Sequence, residues 1–483
     1  MASTLSSNPS PLTPYRLRPS SGATSLTPAG STSTTTAILP LPRHSPSSVL
    51  HLHHSEDPLI FQIGTRNLQA GYPSEPHPRC ILPWTNPEFW KRSGDLWGLG
   101  MWYSPTGTSS TSRGELWHNP ETVEDVLERG VRVAYNKYLL LDSKTRRIVL
   151  LVKTEVDVGV LSKVVKSLFV HFQMPAVMLL QEPVMSVVGG GVRSGVVLDV
   201  GWSETVVNVV YEMRVVGTGK RSRRGGRTYR DFWRRLLKEE ASPLDDKDDD
   251  EGIADWEVEE VLSRTGWCKP FSHANQHDDD AEITIPLTTT TPPKTLTIPF
   301  PKLSIPAEQA FFAPTTTPSP SPNYPDDDDY ALPELLYRAL RDSPIDVRAA
   351  VMQRIIVVGG GSYVPGLKKR VVDEVRSLVS SRGWDRAGKR IVRKKDKGKM
   401  KEEEEGYQWR KDTIAEQVND SSDAGDKADG TTGRGRIAGV ESFGSWVGAS
   451  LVAGMKVRGT IEVEREKFLA AVAAGGTGLP LDV

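Results

Sequence analysis

The chain has 483 residues, enough for two or more domains or for one large body. Its hydrophobic fraction is only 37%, and it has 42 glycines and 35 prolines, which indicates a folded core interrupted by low-complexity segments. A net charge of −1 excludes a global field that would favour nucleic acid or a membrane surface. Two cysteines exclude a disulfide framework, and no apolar run is long enough for a membrane span or a signal peptide, so the composition predicts a soluble intracellular protein.

Compositionally biased segments are predicted to lie outside the folded core. Residues 1–55 are rich in Ser, Thr and Pro and are expected to be disordered, because they cannot bury enough apolar surface. Residues 56–483 are expected to fold, with charged loop insertions at about 242–255, 272–282, 314–330 and 383–435. These insertions are interpreted as solvated loops, and the alternative for the basic run at 389–401 is a nuclear import signal.

Apolar patterns between the insertions predict strands that alternate with helices. Continuous or alternating apolar runs predict strands at Ile148–Val152, 176–180, 196–200, 206–211 and Ile355–Val358. Apolar residues at helical spacing predict helices at 161–172 and 347–354, and a third that opens at Pro365. This alternation indicates an α/β architecture with a largely buried sheet.

Two glycine-containing turns have the layout that cradles phosphate. One is Asp199-Val200-Gly201 after a strand, and the other is the run Gly359–Ser362 between a strand and a helix. Glycines let backbone amides approach an anion closely, and a helix N-terminus adds a favourable partial charge. Each turn by itself is more often a tight structural turn. Asp199 would either hold a hydrated Mg²⁺ or cap its turn.

Read in order, these segments resemble the actin superfamily over about residues 58–470. The strings that carry the resemblance are Ile63-Gly64-Thr65 with Ala70-Gly71-Tyr72, 78–83, 169–176, 198–201, 256–268, 305–311, 357–367 and 445–451. The resemblance implies an α/β, actin-like two-lobed fold of the actin/hexokinase/Hsp70 ATPase type. It also implies ATP or ADP as the ligand, and the residues that would bind it are Gly64, Thr65, Asp199, Gly201, Gly359, Gly360, Gly361 and Ser362.

Departures from the family pattern remove the groups that hydrolysis needs. Gln62 stands where the family has its metal-side acid, and Gln69 where it has a phosphate-binding lysine. Lys166 replaces the glutamine that positions the attacking water, and Trp202 lies where an acid is usual and would crowd the phosphates. We therefore expect no catalytic residues, no metal site, and a nucleotide bound weakly or as a structural filler.

Two strings, 78–83 and 343–348, resemble the divergent actin-related proteins at the pointed end of the dynactin filament. The short link from Pro83 to Glu115 leaves little room for the small outer subdomain of actin. The resemblance implies a non-catalytic cytoplasmic and cytoskeletal subunit that caps the filament and supports dynein-based transport. Segments around Pro175 and Trp446 would face the filament end.

The implied partners are actin-related filament subunits and the pointed-end subunits of dynactin, with no nucleic acid and no membrane. The alternative function, which the basic run and the acidic insertions would suit, is a nuclear actin-related subunit of a chromatin-remodelling complex. The cellular location of the protein would separate the two.

Overall fold

The computed structural model describes a part of the chain that includes both glycine turns, and all of it belongs to the second of two units, His53–Val483. The described residues are 57–84, 120–141, 146–154, 156, 158–241, 253–271, 281–289, 293–313, 329–384, 436–455, 457 and 461–479. The predicted leader 1–55, the basic run 389–401 and most of each predicted insertion lie outside these ranges. None of the described helices is long and apolar enough to cross a lipid bilayer.

Strands in the described residues form three sheets. The strands are β1 (Leu59–Ile63), β2 (Asn67–Gly71), β3 (Cys80–Pro83), β4 (Ile148–Val152), β5 (Ala176–Gln181), β6 (Gly195–Val200), β7 (Thr205–Tyr211), β8 (Arg214–Ser222), β9 (Glu282–Leu287), β10 (Lys294–Pro299), β11 (Ile355–Val358) and β12 (Ile461–Glu464). The first sheet has the order β12-β5-β4-β1-β2-β3, the second has the order β11-β6-β7-β8, and β9 pairs with β10. Every residue of β4 is buried, which confirms the predicted buried strand.

Helices follow most of the strands, as the alternation in the sequence predicts. They are α1 (Pro120–Val133), α2 (Val158–Phe172), α3 (Glu182–Gly189), α4 (Gly226–Ala241), α5 (Asp255–Thr265), α6 (Ile305–Ala307), α7 (Leu332–Asp342), α8 (Ile345–Val351), α9 (Leu367–Arg382), α10 (Gly444–Gly454) and α11 (Arg465–Ala473). Short π-helical turns, Ala134–Leu139 and Glu308–Phe312, continue α1 and α6.

Four predicted helix bounds differ from the observed ones, and two of these are starts that lie earlier, at Val158 for α2 and at Ile345 for α8. The helix predicted at 347–354 is α8, which ends at Val351, because the carbonyl of Arg354 already accepts a hydrogen bond from the amide of Val196 at the edge of the second sheet. The helix predicted to open at Pro365 is α9, which begins at Leu367. The intervening Gly366 has φ +85°, a left-handed conformation that a right-handed α-helix does not contain.

Side chains of β1 divide between two cores, because successive residues of a strand point to opposite faces of the sheet. Leu59 and Phe61 pack with side chains of α1 and α2. Ile60 lies in another core that contains side chains of α3 and α10 together with Val197 and Ile356 of the second sheet. Helices α3 and α10 therefore lie between the two sheets and hold the carboxyl ends of β1, β4, β6 and β11 in one region.

A buried arginine joins the two ends of the insertion predicted at 314–330. Arg224 Nη1 donates a hydrogen bond to the Ala313 carbonyl at 2.6 Å, and its Nε donates to Asp329 Oδ1 at 2.9 Å. The Arg224 side chain is only 5% exposed. Next to it, Ser222 Oγ donates to the carbonyl of Tyr330 at 2.7 Å. The fold therefore fixes both ends of residues 314–328 at one place.

We expect a short Gly-Ser linker in place of residues 314–328 to change the melting temperature by less than about 2 °C, because closure entropy varies slowly with loop length. Arg224→Leu in the full chain should lower the melting temperature by about 5 °C or more, since it leaves the largely buried Asp329 without its charged partner. Differential scanning fluorimetry compares the two variants. A linker variant that melts below Arg224→Leu would show that the insertion itself supports the core.

Candidate functional site

The turns that close the two hairpins use the amides of their own glycines. In the β1–β2 turn, Gly64 N–H donates to the Asn67 carbonyl at 2.9 Å, and the Gly64 carbonyl accepts from Trp84 Nε1 at 2.9 Å. In the β6–β7 turn, Gly201 N–H donates to the Glu204 carbonyl at 3.0 Å. These two predicted site residues therefore shape their turns, and their amides are already engaged.

The glycine loop after β11 packs directly on the end of β6. These strands are parallel neighbours, and Val358 lies opposite Asp199 in their register. A Cβ on Gly359, which has φ +89°, would lie 2.2 Å from Asp199 Oδ1, and a Cβ on Gly361 would lie 2.5 Å from Cγ1 of Val200. Only glycine fits these two positions.

The remaining loop residues complete the turn and leave one open side. Ser362 Oγ donates a hydrogen bond to the Gly359 carbonyl at 2.7 Å, so its hydroxyl stabilises the loop. A Cβ on Gly360 would have no neighbour within 4 Å, so space is open beside this residue. Of the eight predicted site residues, Asp199 and the loop Gly359–Ser362 thus lie together. Gly201 lies in the β6–β7 turn two residues after Asp199, whereas Gly64 and Thr65 belong to the hairpin of the other sheet.

Lys153 is the charged partner of Asp199. Its Nζ lies 3.4 Å from Asp199 Oδ2, and the two side chains are 14% and 23% exposed. A Cβ on Gly201 would lie 3.8 Å from the same Nζ, so the ammonium also sits close to the second hairpin. Sequence reasoning missed this residue, although a lysine directly after the fully buried strand β4 is a signal that points to the carboxyl edge of the sheet.

Gln62 stands where the resemblance implies an acid, and its side-chain amide is a hydrogen-bond donor. Its Nε2 donates to Glu182 Oε1 at 2.9 Å and to Ser445 Oγ at 3.1 Å. Glu182 is buried, so a second carboxylate at position 62 would face it at close range. The amide at Gln62 is therefore part of the local hydrogen bonding.

The other two positions that depart from the resemblance lie nearby or on the surface. Gln69 lies directly opposite Gln62 in the β1–β2 register, and Lys166 is exposed on α2.

Trp202, in the β6–β7 turn, contacts two arginines. The guanidinium carbon of Arg66, in the β1–β2 turn, lies 4.1 Å from the centre of the Trp202 ring, and that of Arg230 on α4 lies 5.1 Å away. Arg66 Nη1 also pairs with Glu259 Oε2 on α5 at 3.0 Å. A Cβ on Gly226 would lie 2.9 Å from the Trp202 ring, so glycine at the start of α4 makes room for it.

This arrangement does not fit Mg²⁺ and the terminal phosphates of a nucleotide. Lys153 neutralises Asp199, the amides of Gly64 and Gly201 close their own turns, and Trp202 contacts the opposite hairpin through Arg66. Among the described residues, no group of three or more His, Cys, Asp and Glu side chains could hold a metal ion. The nucleotide predicted from the resemblance stays a prediction for the open side of the glycine loop.

One protein-family model covers both hairpins and the glycine loop. The family model for actin matches residues 53–251 and 293–397, which is more than half of the chain. All eight predicted site residues, and also Lys153, Trp202 and Arg66, lie within the matched segments. Proteins of this family typically bind ATP or ADP. The α/β fold with its two hairpins and glycine loop, together with this match, shows that the chain belongs to the actin family.

Proposed function

We propose that this actin-family chain is a non-catalytic structural subunit of dynactin. It caps the pointed end of the actin-related filament and supports dynein-based transport in the cytoplasm. It binds the filament end once and offers its other face to non-actin pointed-end subunits. It binds neither nucleic acid nor membrane, and any ATP or ADP in the cleft is held without turnover.

The ion pair between Lys153 and Asp199 is the main support for proposing that the protein does not hydrolyse ATP. Hydrolysis of ATP in such a site needs a hydrated metal ion held by acids and a positioned water. The ammonium 3.4 Å from Asp199 occupies the electrostatic role that a metal ion would take. On the other hairpin, Gln62 offers an amide donor to Glu182 and cannot supply the missing acid.

We expect the purified full chain to release no phosphate from ATP at steady state in the presence of Mg²⁺, because Lys153 pairs with Asp199 and Gln62 offers an amide donor to Glu182. Asp199→Asn is the matched control and should give the same background rate as the wild type. A coupled phosphate assay measures both. Steady, stoichiometric release that Asp199→Asn abolishes would contradict the proposal.

Support for dynactin comes from the two strings that resemble its pointed-end protein. Residues 80–83 form β3, at an edge of the first sheet, and the string 343–348 lies at the start of α8, where Ile345 is 59% exposed. The exposure of Ile345 leaves the second string accessible to a neighbouring subunit. Residues 85–115 of the short link after Pro83 lie outside the described residues.

Exposed residues of α10 other than Trp446 form the surface proposed to face the filament. Trp446 is only 6% exposed and belongs to the core between the sheets, so it cannot be a contact residue itself. On the same helix α10, Leu451 is 45% exposed and Met455 is 66% exposed. These two apolar side chains are the better candidates for contact with the filament end, together with the exposed Pro175.

Affinity capture of the tagged full chain from its own cells tests the partner. We expect actin-related filament subunits and pointed-end subunits of dynactin. The double variant Leu451→Asp/Met455→Asp should lose the filament subunits, whereas Val158→Asp, at a position 44% exposed at the far end of α2 from Pro175, should keep them. Recovery of chromatin-remodelling subunits with a nuclear signal would contradict the proposal and favour the alternative function.

A further inference from the structure

We propose that Arg66, Trp202 and Lys153 lock the β1–β2 and β6–β7 hairpins together, so that this chain keeps its first and second sheets closed without nucleotide or metal. In a nucleotide-binding site, phosphates and a cation would form the bridge between such hairpins. Here, side chains of the chain itself form it. The inference depends on contacts among described residues, and it stands whatever the partner complex is.

The first bridge is made by Arg66. This residue lies in the turn between β1 and β2 of the first sheet, whereas Trp202 lies in the turn between β6 and β7 of the second. The separation of 4.1 Å between the guanidinium carbon and the ring centre is within the range of a cation–π contact. The ion pair of Arg66 with Glu259, at 3.0 Å, adds a second contact to α5, whose Val258 and Val261 belong to the core of the second sheet.

Acids of the second sheet's own helices balance the charges around Trp202. Arg230, whose side chain is 9% exposed, pairs with Asp255 at 3.2 Å, with Asp231 at 3.2 Å and with Glu259 at 3.7 Å. Glu259 is therefore shared between Arg66 and Arg230. Because these acids already neutralise the two guanidinium groups, no phosphate is needed to balance them.

The second bridge is the pair of Lys153 and Asp199. Lys153 directly follows β4 of the first sheet, and Asp199 lies near the end of β6 of the second. Both side chains are largely buried, so solvent screens their attraction less than it screens a surface pair. Gly359 packs closely against this carboxylate, since a Cβ at that position would lie 2.2 Å from Asp199 Oδ1. A hydrated Mg²⁺ would have to displace this ammonium.

These contacts predict a melting temperature that responds less to ligand than that of a fold that depends on bound nucleotide. A ligand that binds only the folded state raises its melting temperature, and removing that ligand lowers it. If the bridges replace the ligand, EDTA should not lower the melting temperature, and excess Mg²⁺-ATP should raise it by no more than weak binding at the open side of the glycine loop allows. We expect the melting temperature of the purified wild-type chain to stay within about 1 °C under both conditions. Hydrogen exchange at 64–67 and 201–204 should be equally slow in both.

Variants of the full chain test the bridges directly. The double variant Arg66→Ala/Lys153→Ala should lower the melting temperature by about 2–5 °C and speed exchange in both hairpins by about tenfold or more. Arg66→Lys keeps the charge but loses the planar guanidinium. Its melting temperature and exchange rates should lie between those of the wild type and the double variant.

The matched control is Arg79→Ala. This arginine also has a carboxylate partner, Glu75, and a ring partner, the Tyr72 ring at 5.8 Å, but both lie within the first sheet and its turns. It should leave exchange at both hairpins unchanged. The proposal is overturned if Mg²⁺-ATP or EDTA shifts the wild-type melting temperature by several degrees, or if the hairpins exchange as fast in wild type as in the double variant.

Discussion

Replacing Arg370 with leucine should destabilise the protein by about 3–5 kcal/mol, because it removes a buried guanidinium that pairs with two partly buried carboxylates. Among the described residues, Arg370 on α9 donates from Nε to Glu374 Oε1 at 2.5 Å and from Nη2 to Glu308 Oε2 at 3.2 Å. Its Nη1 donates to the carbonyl of Lys269 at 2.8 Å, and its side chain is 6% exposed. Leucine satisfies none of these acceptors.

The destabilisation caused by Arg370→Leu should be larger at higher pH. Burial raises the pKa of Glu308 and of Glu374, and Arg370 opposes both shifts. Folded-state pKa values above the unfolded ones mean that the folded state binds more protons. The stability that these two carboxyl groups contribute is therefore fully present below their unfolded-state pKa, and it is lost as the pH rises through their folded-state pKa. Since Arg370→Leu raises both pKa values further, its deficit should be larger at about pH 8 than at about pH 5.

Urea denaturation at both pH values measures this deficit. The control is Arg382→Leu on the same helix, where an arginine 53% exposed pairs with Glu334 at 2.6 Å and should contribute less than about 1 kcal/mol. Changing the whole cluster, as Arg370→Met/Glu308→Leu/Glu374→Leu, should recover most of the loss. If Arg370→Leu costs no more than Arg382→Leu at the higher pH, the cluster has no structural role.

Gly448→Ala should destabilise the protein by about 2–3 kcal/mol or more, although alanine is the better helix former. Helix propensity alone predicts a gain of about 1 kcal/mol for this change inside α10. A Cβ on Gly448, however, would lie 1.9 Å from the carbonyl oxygen of Met185 on α3. A backbone atom of a packed helix cannot move aside, so α3 and α10 would have to separate between the two sheets.

The sign of the change in the free energy of unfolding shows whether helix propensity or the close approach to Met185 dominates. Gly454→Ala, at the end of the same helix, is the control, because its Cβ would meet Ser74 Oγ, a hydroxyl that can rotate away. We expect this control to change the free energy of unfolding by less than about 1 kcal/mol. Equilibrium urea denaturation compares the variants. A stabilised Gly448→Ala protein would mean that α10 does not pack against α3 at this distance.

Elements whose signals are local could be predicted from the sequence by itself. The apolar run of Ile148–Val152 and the helical spacing up to Phe172 were sufficient for β4 and α2, because hydrophobic periodicity over a few residues reports directly on a buried face. The order of the strings that resemble the actin superfamily was likewise sufficient for the family, which the match to actin confirms. Helix ends were less certain, since the left-handed Gly366 that delays α9 depends on its surroundings.

Only the tertiary structure decided what occupies the candidate site. The sequence indicated that Gln62 and Trp202 depart from the family, and so predicted a loss of charge. It could not indicate that Lys153 would meet Asp199, or that Arg66 would reach Glu259, which is 193 residues further along the chain. Such contacts depend on how two sheets are brought together by α3 and α10, and no local pattern encodes that distance.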